Sequence, residues 1–341
     1  MSMTVSSHSS SVESRLVFVL SAPRSGSTLL MRILNATEEI SARSEPHLIP
    51  PLAHLGYWEC VDQAPYDQLQ AQDAMRGFVS ARDSGEELYY QACRAYADTL
   101  YGAMIQDGGT QFFLDKTPAN ALVIPFLKRL YPKAHYIVLT RHPAAIFASY
   151  VESFFDGDAR AASAFNPILS RYIPAVADFL ENPPQNLVHV SYEQLVQDPQ
   201  KTLAQLCSFL DIPMQEEALN YNRVQVEKGL GDPIGIGENS RPVQDSMFRW
   251  VDFFHQRPHA QEILDDQLIG VSDDQLSYFG TTFSDLWAPM NQSVERSKKR
   301  KSNRFMVERK ILIALRRNIH RRPHGTWVKS VRRFCDVLLR G

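Results

Sequence analysis

The stretch Arg15–Asn35, RLVFVLSAPRSGSTLLMRILN, decides the fold class. Arg15 to Ser21 is a short run of apolar and β-branched residues with the length of a buried strand, and it stops at a Pro/Ser/Gly cluster. From Ser27 to Asn35 the apolar residues fall at helical spacing. Strand, tight loop and helix thus follow one another within about twenty residues, the opening of a parallel α/β unit. The pattern recurs downstream. Gln111–Asp115, Ala134–Thr140 and Leu187–Ser191 read as strands, and Glu39–Arg43 is a shorter strand-like segment. Helical segments cover Ala119–Tyr131 and Pro143–Phe154 and continue from Ser191 to Leu210. This alternation predicts an α/β protein with a P-loop-like central parallel sheet flanked by helices.

Outside these units the composition changes. Leu52–Met104 is rich in Ala, Gln, Tyr and acidic residues and reads as a helical cap inserted over the sheet edge. Lys228–Asp245, KGLGDPIGIGENSRPVQD, is rich in Gly and Pro and reads as a long loop of the kind that often carries function. The first 14 residues are Ser-rich and polar and read as a disordered leader. The expected organisation is leader 1–14, one domain over 15–292 containing the cap at 52–104, and a basic helical tail over 293–341.

The formal net charge of −2 conceals a split. Glu295–Gly341 holds 16 basic and 3 acidic residues, so that end carries +13 and the remainder of the 341-residue chain −15. Of the four cysteines, Cys60, Cys93, Cys207 and Cys335, none forms a CxxC pair or shows metal-ligand spacing. A disulfide framework or zinc module is therefore not expected, and a reducing, cytoplasmic setting is. No apolar run reaches the roughly 18 residues of a membrane-spanning helix.

Two loops carry candidate chemistry. Ser21–Thr28, SAPRSGST, lies between a strand and a helix, which places free backbone N–H groups at a helix N-terminus, a site for phosphate or sulfate. Gly26 lets the backbone approach closely, and Ser27 and Thr28 add hydroxyl donors. Against the nucleoside-triphosphatase pattern GxxxxGK[ST], aligned on Gly26, the lysine position is Ser27 and the first glycine is Ser21. Arg24 supplies the charge from inside the loop instead. The second locus is Arg141, at the C-terminal end of the Ala134–Thr140 strand, with Ser149 about two turns into the following helix. Ligands of open α/β sheets bind at that end of the strands, and a guanidinium with a hydroxyl suits a second phosphate.

These motifs together resemble the sulfotransferase family that uses 3′-phosphoadenosine-5′-phosphosulfate. The likeness rests on APRSGST, on DKTP at Asp115–Pro118 and on RHPAAIFASY at Arg141–Tyr150. Tyr192–Val196 with Asp198-Pro199, Gly231-Asp232-Pro233, Arg241-Pro242-Val243 and Trp250 extend it, so that it runs from about Leu16 to Trp250. The style is closer to bacterial and tyrosylprotein-type enzymes and to polyketide-synthase sulfotransferase domains than to the cytosolic phenol type, which opens with a lysine-bearing loop. The resemblance implies that Arg24, Ser25, Gly26, Ser27 and Thr28 hold the 5′-phosphosulfate and that Arg141 and Ser149 hold the 3′-phosphate. It further implies that Tyr192 and Arg241 lie near the nucleotide, with Lys228 and Gly231 in a loop that closes over it. No metal is implied.

Sulfuryl transfer needs an acceptor oxygen in line with the leaving phosphate and cations for the developing charge. Arg24 and Lys116 are the candidates. In the related tyrosylprotein-type enzymes a glutamate in the segment of Ser44-Glu45-Pro46-His47 is the base, which makes Glu45 the first choice and His47 its rival. A raised pKa would suit a base, and that of an unperturbed histidine already does. His142 reads as a structural histidine. The acceptor is a hydroxyl on a small molecule, a saccharide or a carrier-tethered group. The tyrosines and Trp58 of the cap either line its pocket or pack the cap. The tail fits an acidic protein partner, an anionic membrane surface or the acidic body itself, and the body's negative charge argues against nucleic acid. A P-loop nucleotide kinase and a nonenzymatic nucleotide- or anion-binding module are the competing readings.

Overall fold

The computed structural model describes residues 12–59, 67–223, 241–244 and 247–291. The chain opens with β1 (Leu16–Leu20), α1 (Ser27–Asn35), β2 (Ile40–Ser44), α2 (Ile49–Ala53), α3 (Gln68–Ser80), α4 (Gly85–Gly108) and β3 (Phe112–Lys116). A 3-10 segment, Pro118–Val123, then leads into α5 (Ile124–Leu130), β4 (His135–Thr140), α6 (Pro143–Phe155), α7 (Ala159–Phe165) and α8 (Ile168–Glu181). β5 (Leu187–Ser191), α9 (Tyr192–Gln197) and α10 (Pro199–Leu210) follow. The described part ends with α11 (Arg249–Gln256), α12 (His259–Gln267) and α13 (Asp273–Ser277).

The expected central parallel sheet is present. Five strands lie in the order β2-β3-β1-β4-β5, and every neighbouring pair is parallel. β1 is buried at all five positions because helices cover both faces, which is why its sequence is continuously apolar instead of alternating. The pleat sends Leu16, Phe18 and Leu20 to one core, with Phe113, Tyr136, Tyr101 and Phe147. Val17 and Val19 go to the other, with Leu114, Ile137, Leu30 and Leu203. From β1 the chain moves toward β2, and from β4 it moves toward β5, the opposite way. The order therefore reverses between β1 and β4, and open α/β sheets bind ligands at such a reversal, outside the C-terminal ends of the strands.

The strand and helix assignments agree with the sequence pattern to within a residue or two, save that Ala119–Tyr131 divides into a 3-10 segment and a short helix. Helices do fill much of Leu52–Met104, but α4 is more than an edge cap. Its Ala97, Tyr101 and Ile105 are core residues under the sheet face. At the N-terminal side, packing begins before residue 15: Glu13 is buried and accepts a hydrogen bond from the Lys133 amide at 2.7 Å. The tail over 293–341 and most of the Lys228–Asp245 loop lie outside the described residues. No helix among the described residues is long and apolar enough to cross a membrane.

Candidate active site

The loop between β1 and α1 is built around two left-handed residues, Arg24 (φ 70°) and Gly26 (φ 91°). Gly26 is the N-cap of α1 and offers no side chain, so the first N–H groups of the helix face the loop without a capping oxygen. Such a terminus favours an anion. The hydroxyls of Ser21 and Ser25 are buried and have no hydrogen-bond partner among the described residues. Buried orphan hydroxyls are rare enough to ask for a ligand that accepts from them. A Cβ at Gly26 would stand 2.4 Å from Cδ2 of Tyr192, so the tyrosine ring lies directly on the turn. Glycine is required there for both close approach and conformation.

Tyr192 owes its place to α9, whose start is locked by a reciprocal capping box between Ser191 and Gln194. Its ring carries the Arg141 guanidinium, with Cζ 4.1 Å from the centroid. Arg141 is mostly buried and also donates from Nη1 to the Arg24 carbonyl at 3.0 Å. Arg24 in turn donates from Nε to Ser149 Oγ at 3.2 Å and lies over Phe154. The two expected anion sites are therefore one continuous surface at the β1/β4 reversal, linked by Arg24. Two guanidiniums converge on it beside the open helix terminus, an arrangement that attracts a polyanion.

Beyond the ends of β2 and β3 lies a second cluster. Lys116 Nζ donates to Glu45 Oε1 at 2.6 Å, and His47 Nε2 lies 3.4 Å from Oε2 of the same carboxylate. The lysine side chain is 1% exposed and that of Glu45 19%, so the pair opens to solvent on the carboxylate side. Burial pushes the Glu45 carboxyl up, but the hydrogen bond from His47 and the Lys116 ammonium outweigh it and hold the group below the ordinary glutamate value. The raised value that would suit a base is not found; the carboxylate is held ionised in its ion pair with Lys116. Glu45 and His47 also have positive φ, 20° and 51°. Among the described non-glycine residues only Arg24, Asp156 and Asp211 share that sign, and the two aspartates are helix C-caps. Backbone strain away from caps is thus confined to the two loops singled out for chemistry, as expected of a functional site.

Arg24, Ser25, Gly26, Ser27, Thr28, Arg141, Ser149 and Tyr192 are brought to the C-terminal end of the sheet, with Lys116 at the same end of β3, next to β1, and Glu45 and His47 beyond β2, one strand further. Arg241 is exposed: its carbonyl accepts from Tyr221 Oη at 3.3 Å, and the residue lines a surface pocket with Gln200, Glu216 and Glu217. Lys228 and Gly231 lie outside the described residues. His142 stacks on Trp250 with centroids 4.8 Å apart, and burial, with Arg141 nearby, lowers its pKa to about 4, as befits a packed neutral imidazole. In the cap, Tyr57, Tyr89 and Tyr90 pack ring on ring, and Tyr90 and Trp58 meet Phe126 of α5. Among the described residues no group of three or more His, Cys, Asp or Glu is arranged to hold a metal ion.

The sulfotransferase family model matches residues 17–216, which include every one of these converging residues. The chain belongs to the sulfotransferase family. A putative protein-tyrosine sulfotransferase of Caenorhabditis briggsae is 25% identical over 226 residues, 64% of this chain and 73% of that protein. Nodulation protein NoeE of Sinorhizobium fredii is 34% identical over a shorter 134 residues, 39% of this chain and 30% of that protein. Among solved structures, the sulfotransferase domain of the curacin biosynthetic pathway is 21% identical, with a TM-score of 0.49, covering 73% of this chain and 96% of that one.

Several residues of this sulfotransferase site escaped the sequence reading. Ser21 looked like the residue where a glycine was missing, yet its hydroxyl is buried with no hydrogen-bond partner among the described residues. Phe154 and Tyr172 are helical residues with ordinary apolar surroundings in the chain, and only folding places one against Arg24 and the other within electrostatic reach of Glu45, a small addition to the burial that raises the phenol's pKa. Asp115 and Thr117 sat inside the recognised DKTP motif without a role.

Proposed function

We propose that this enzyme transfers the sulfuryl group of 3′-phosphoadenosine-5′-phosphosulfate to a hydroxyl of a small-molecule, saccharide or carrier-tethered acceptor by in-line displacement. The observation that carries the reading is the pairing of two features at the C-terminal end of the sheet: a lysine-less anion loop joined to Arg141 and Ser149, and the ionised Glu45 on buried Lys116. The fit to the nucleotide rests on the orphan Ser21 and Ser25 hydroxyls beside the uncapped start of α1. Arg24, Ser25, Gly26, Ser27 and Thr28 would hold the 5′-phosphosulfate, Arg141 and Ser149 the 3′-phosphate, and Tyr192 would lie beside them. Lys228, Gly231 and Arg241 are assigned to the same nucleotide by family likeness alone.

When bound, the nucleotide supplies the sulfuryl group and a phosphate leaving group. The protein's part is positional and electrostatic. Glu45 takes the acceptor's hydroxyl proton as the oxygen–sulfur bond forms, and His47 accompanies that carboxylate. Lys116 and Arg24 face the charge that grows on the leaving oxygen. A cytoplasmic setting belongs to the same reading, in line with the free thiols of Cys93 and Cys207.

The test is incubation of the purified chain with the sulfate donor and a panel of hydroxyl compounds, read as a gain of about 80 Da, the mass of a transferred SO₃. Magnesium-dependent ATP turnover without sulfated product would favour the kinase. Binding of 3′-phosphoadenosine 5′-phosphate with transfer to no acceptor would favour a nonenzymatic module. Deleting residues 293–341 and comparing free with carrier-tethered acceptors tests whether the tail recruits a partner.

A further inference from the structure

The turn that carries Glu45 and His47 is strained at both residues, and something must hold it. β2 ends at Ser44, and the next element, α2, begins at Ile49, so the turn has no secondary structure of its own. One polar chain reaches it from behind. The His47 backbone N–H donates to Thr117 Oγ1 at 3.3 Å, and the Thr117 hydroxyl donates onward to Asp115 Oδ1 at 2.7 Å. The other Asp115 oxygen accepts from Tyr101 Oη at 2.6 Å. Asp115, Thr117 and Tyr101 are all buried, at 1%, 0% and 1% exposure. None of them touches the anion loop in this chain of contacts.

The direction of each hydrogen bond is set. A backbone N–H can only donate, so the Thr117 hydroxyl accepts from His47 and turns its own proton to Asp115 Oδ1. The chain therefore runs one way, from the strained amide through Thr117 to Asp115, and its inner members are buried, where hydrogen bonds are electrostatically stronger than in water. Asp115 is itself fixed by β3 and by Tyr101 of α4, both part of the main core. Its immediate neighbour Lys116 holds the Glu45 carboxylate. Consecutive residues of one strand end thus grip the turn twice, by its side chain and by its backbone.

We infer that Asp115 and Thr117 are positioning residues for the transfer reaction, fixing the Glu45–His47 turn in its positive-φ conformation through the His47 amide. This rests on the proposal that Glu45 or His47 takes the acceptor's proton. The inference assigns neither residue any contact with substrate.

The test compares Thr117→Val, which keeps the shape and removes the hydroxyl, with Thr117→Ser, which restores it. Two measurements are made. The first is hydrogen exchange at the His47 amide, which needs no turnover: protection is expected in the wild type and in Thr117→Ser and lost in Thr117→Val. The second is steady-state transfer: Thr117→Val is expected to lower kcat by about tenfold or more, since small misplacements of a reacting group cost that much. Acceptor KM and the Kd for 3′-phosphoadenosine 5′-phosphate should stay within about twofold, and Thr117→Ser should recover most of kcat. Unchanged amide exchange in Thr117→Val would overturn the inference. So would equal kcat losses in both variants, or a loss of nucleotide binding matching the loss of kcat. Should Thr117→Val not fold, Thr117→Cys replaces it, a side chain of similar size with only weak hydrogen-bonding capacity. If the wild type transfers sulfuryl to nothing while its amide exchange follows the expected pattern, it is the proposed function that fails and the geometry of the grip that survives.

Discussion

Gly26→Ala isolates what the loop conformation is worth. Two effects add at this position. An L-residue at φ 91° is strained, by about 1–2 kcal/mol on the scale of left-handed backbone. The new Cβ would also lie 2.4 Å from Tyr192 Cδ2 and 2.8 Å from Cε2, about 1 Å inside ordinary contact. Tyr192 is buried and fixed at the start of a capped helix, so it cannot swing away freely. Overpacking of this kind adds about 1–3 kcal/mol, for a total of about 2–5 kcal/mol. Gly280→Ala is the control, because Gly280 has φ 74° but nothing within 4 Å of where its methyl group would stand. It should show the backbone cost alone, a Tm lower by a few degrees. Gly26→Ala should lose more. Displacing Tyr192 also unseats Arg141, so the affinity for 3′-phosphoadenosine 5′-phosphate should fall by the worth of one charge-assisted hydrogen bond, about 1.5–3 kcal/mol or roughly 10- to 100-fold. Calorimetric titration and thermal melts of the three proteins decide it. If Gly26→Ala binds the nucleotide as tightly as Gly280→Ala does, the loop is not the anion site and the argument from its geometry fails.

The remaining predictions concern the base, the second phosphate and acid stability. Glu45→Gln should lower transfer by about 10²- to 10⁴-fold while nucleotide binding persists; an active Glu45→Gln beside a dead His47→Ala would make His47 the base. Because Glu45 is held below 4.5, the acid limb of kcat/KM should lie under that value, whereas a limb near the ordinary histidine pKa of about 6.5 would point to His47. Arg141→Ala should weaken binding of 3′-phosphoadenosine 5′-phosphate far more than that of adenosine 5′-phosphate, and equal losses would remove the 3′-phosphate assignment. His142 has its folded pKa depressed from 6.5 to about 4. Protonation therefore favours the unfolded chain, and stability that is full above pH 6.5 should drain away as pH falls toward 4, by up to about 3 kcal/mol. Denaturant midpoints across that range should fall less in His142→Gln; an equal fall would place the acid sensitivity elsewhere.

Local pattern was enough for the frame of this protein. Strands such as β1 and β4 are short apolar runs that nothing but a doubly covered parallel sheet can bury, and Pro143 and the Ser191/Gln194 pair mark helix starts chemically. The lysine-less loop and the Arg141–Ser149 spacing were legible for the same reason: backbone N–H groups at a helix start and a cation at a strand end are consequences of local order. Membership of the sulfotransferase family follows from such motifs in sequence order.

What depended on the fold is everything that joins residues far apart in the chain. Strand order set the β1/β4 reversal, and with it the meeting of Arg24 with Ser149, 125 positions on. The pairing of β2 with β3 brought Glu45 to Lys116, and the contacts with His47 and Lys116, not composition, outweigh burial and hold the carboxyl below its ordinary value. Tyr192 on Gly26, and Asp115 reaching the His47 amide through Thr117, are likewise invisible in one dimension. The physical reason is the same throughout. Propensity and periodicity act over a few residues, whereas electrostatic coupling and close packing act over a few ångströms, and only the folded sheet converts one kind of nearness into the other.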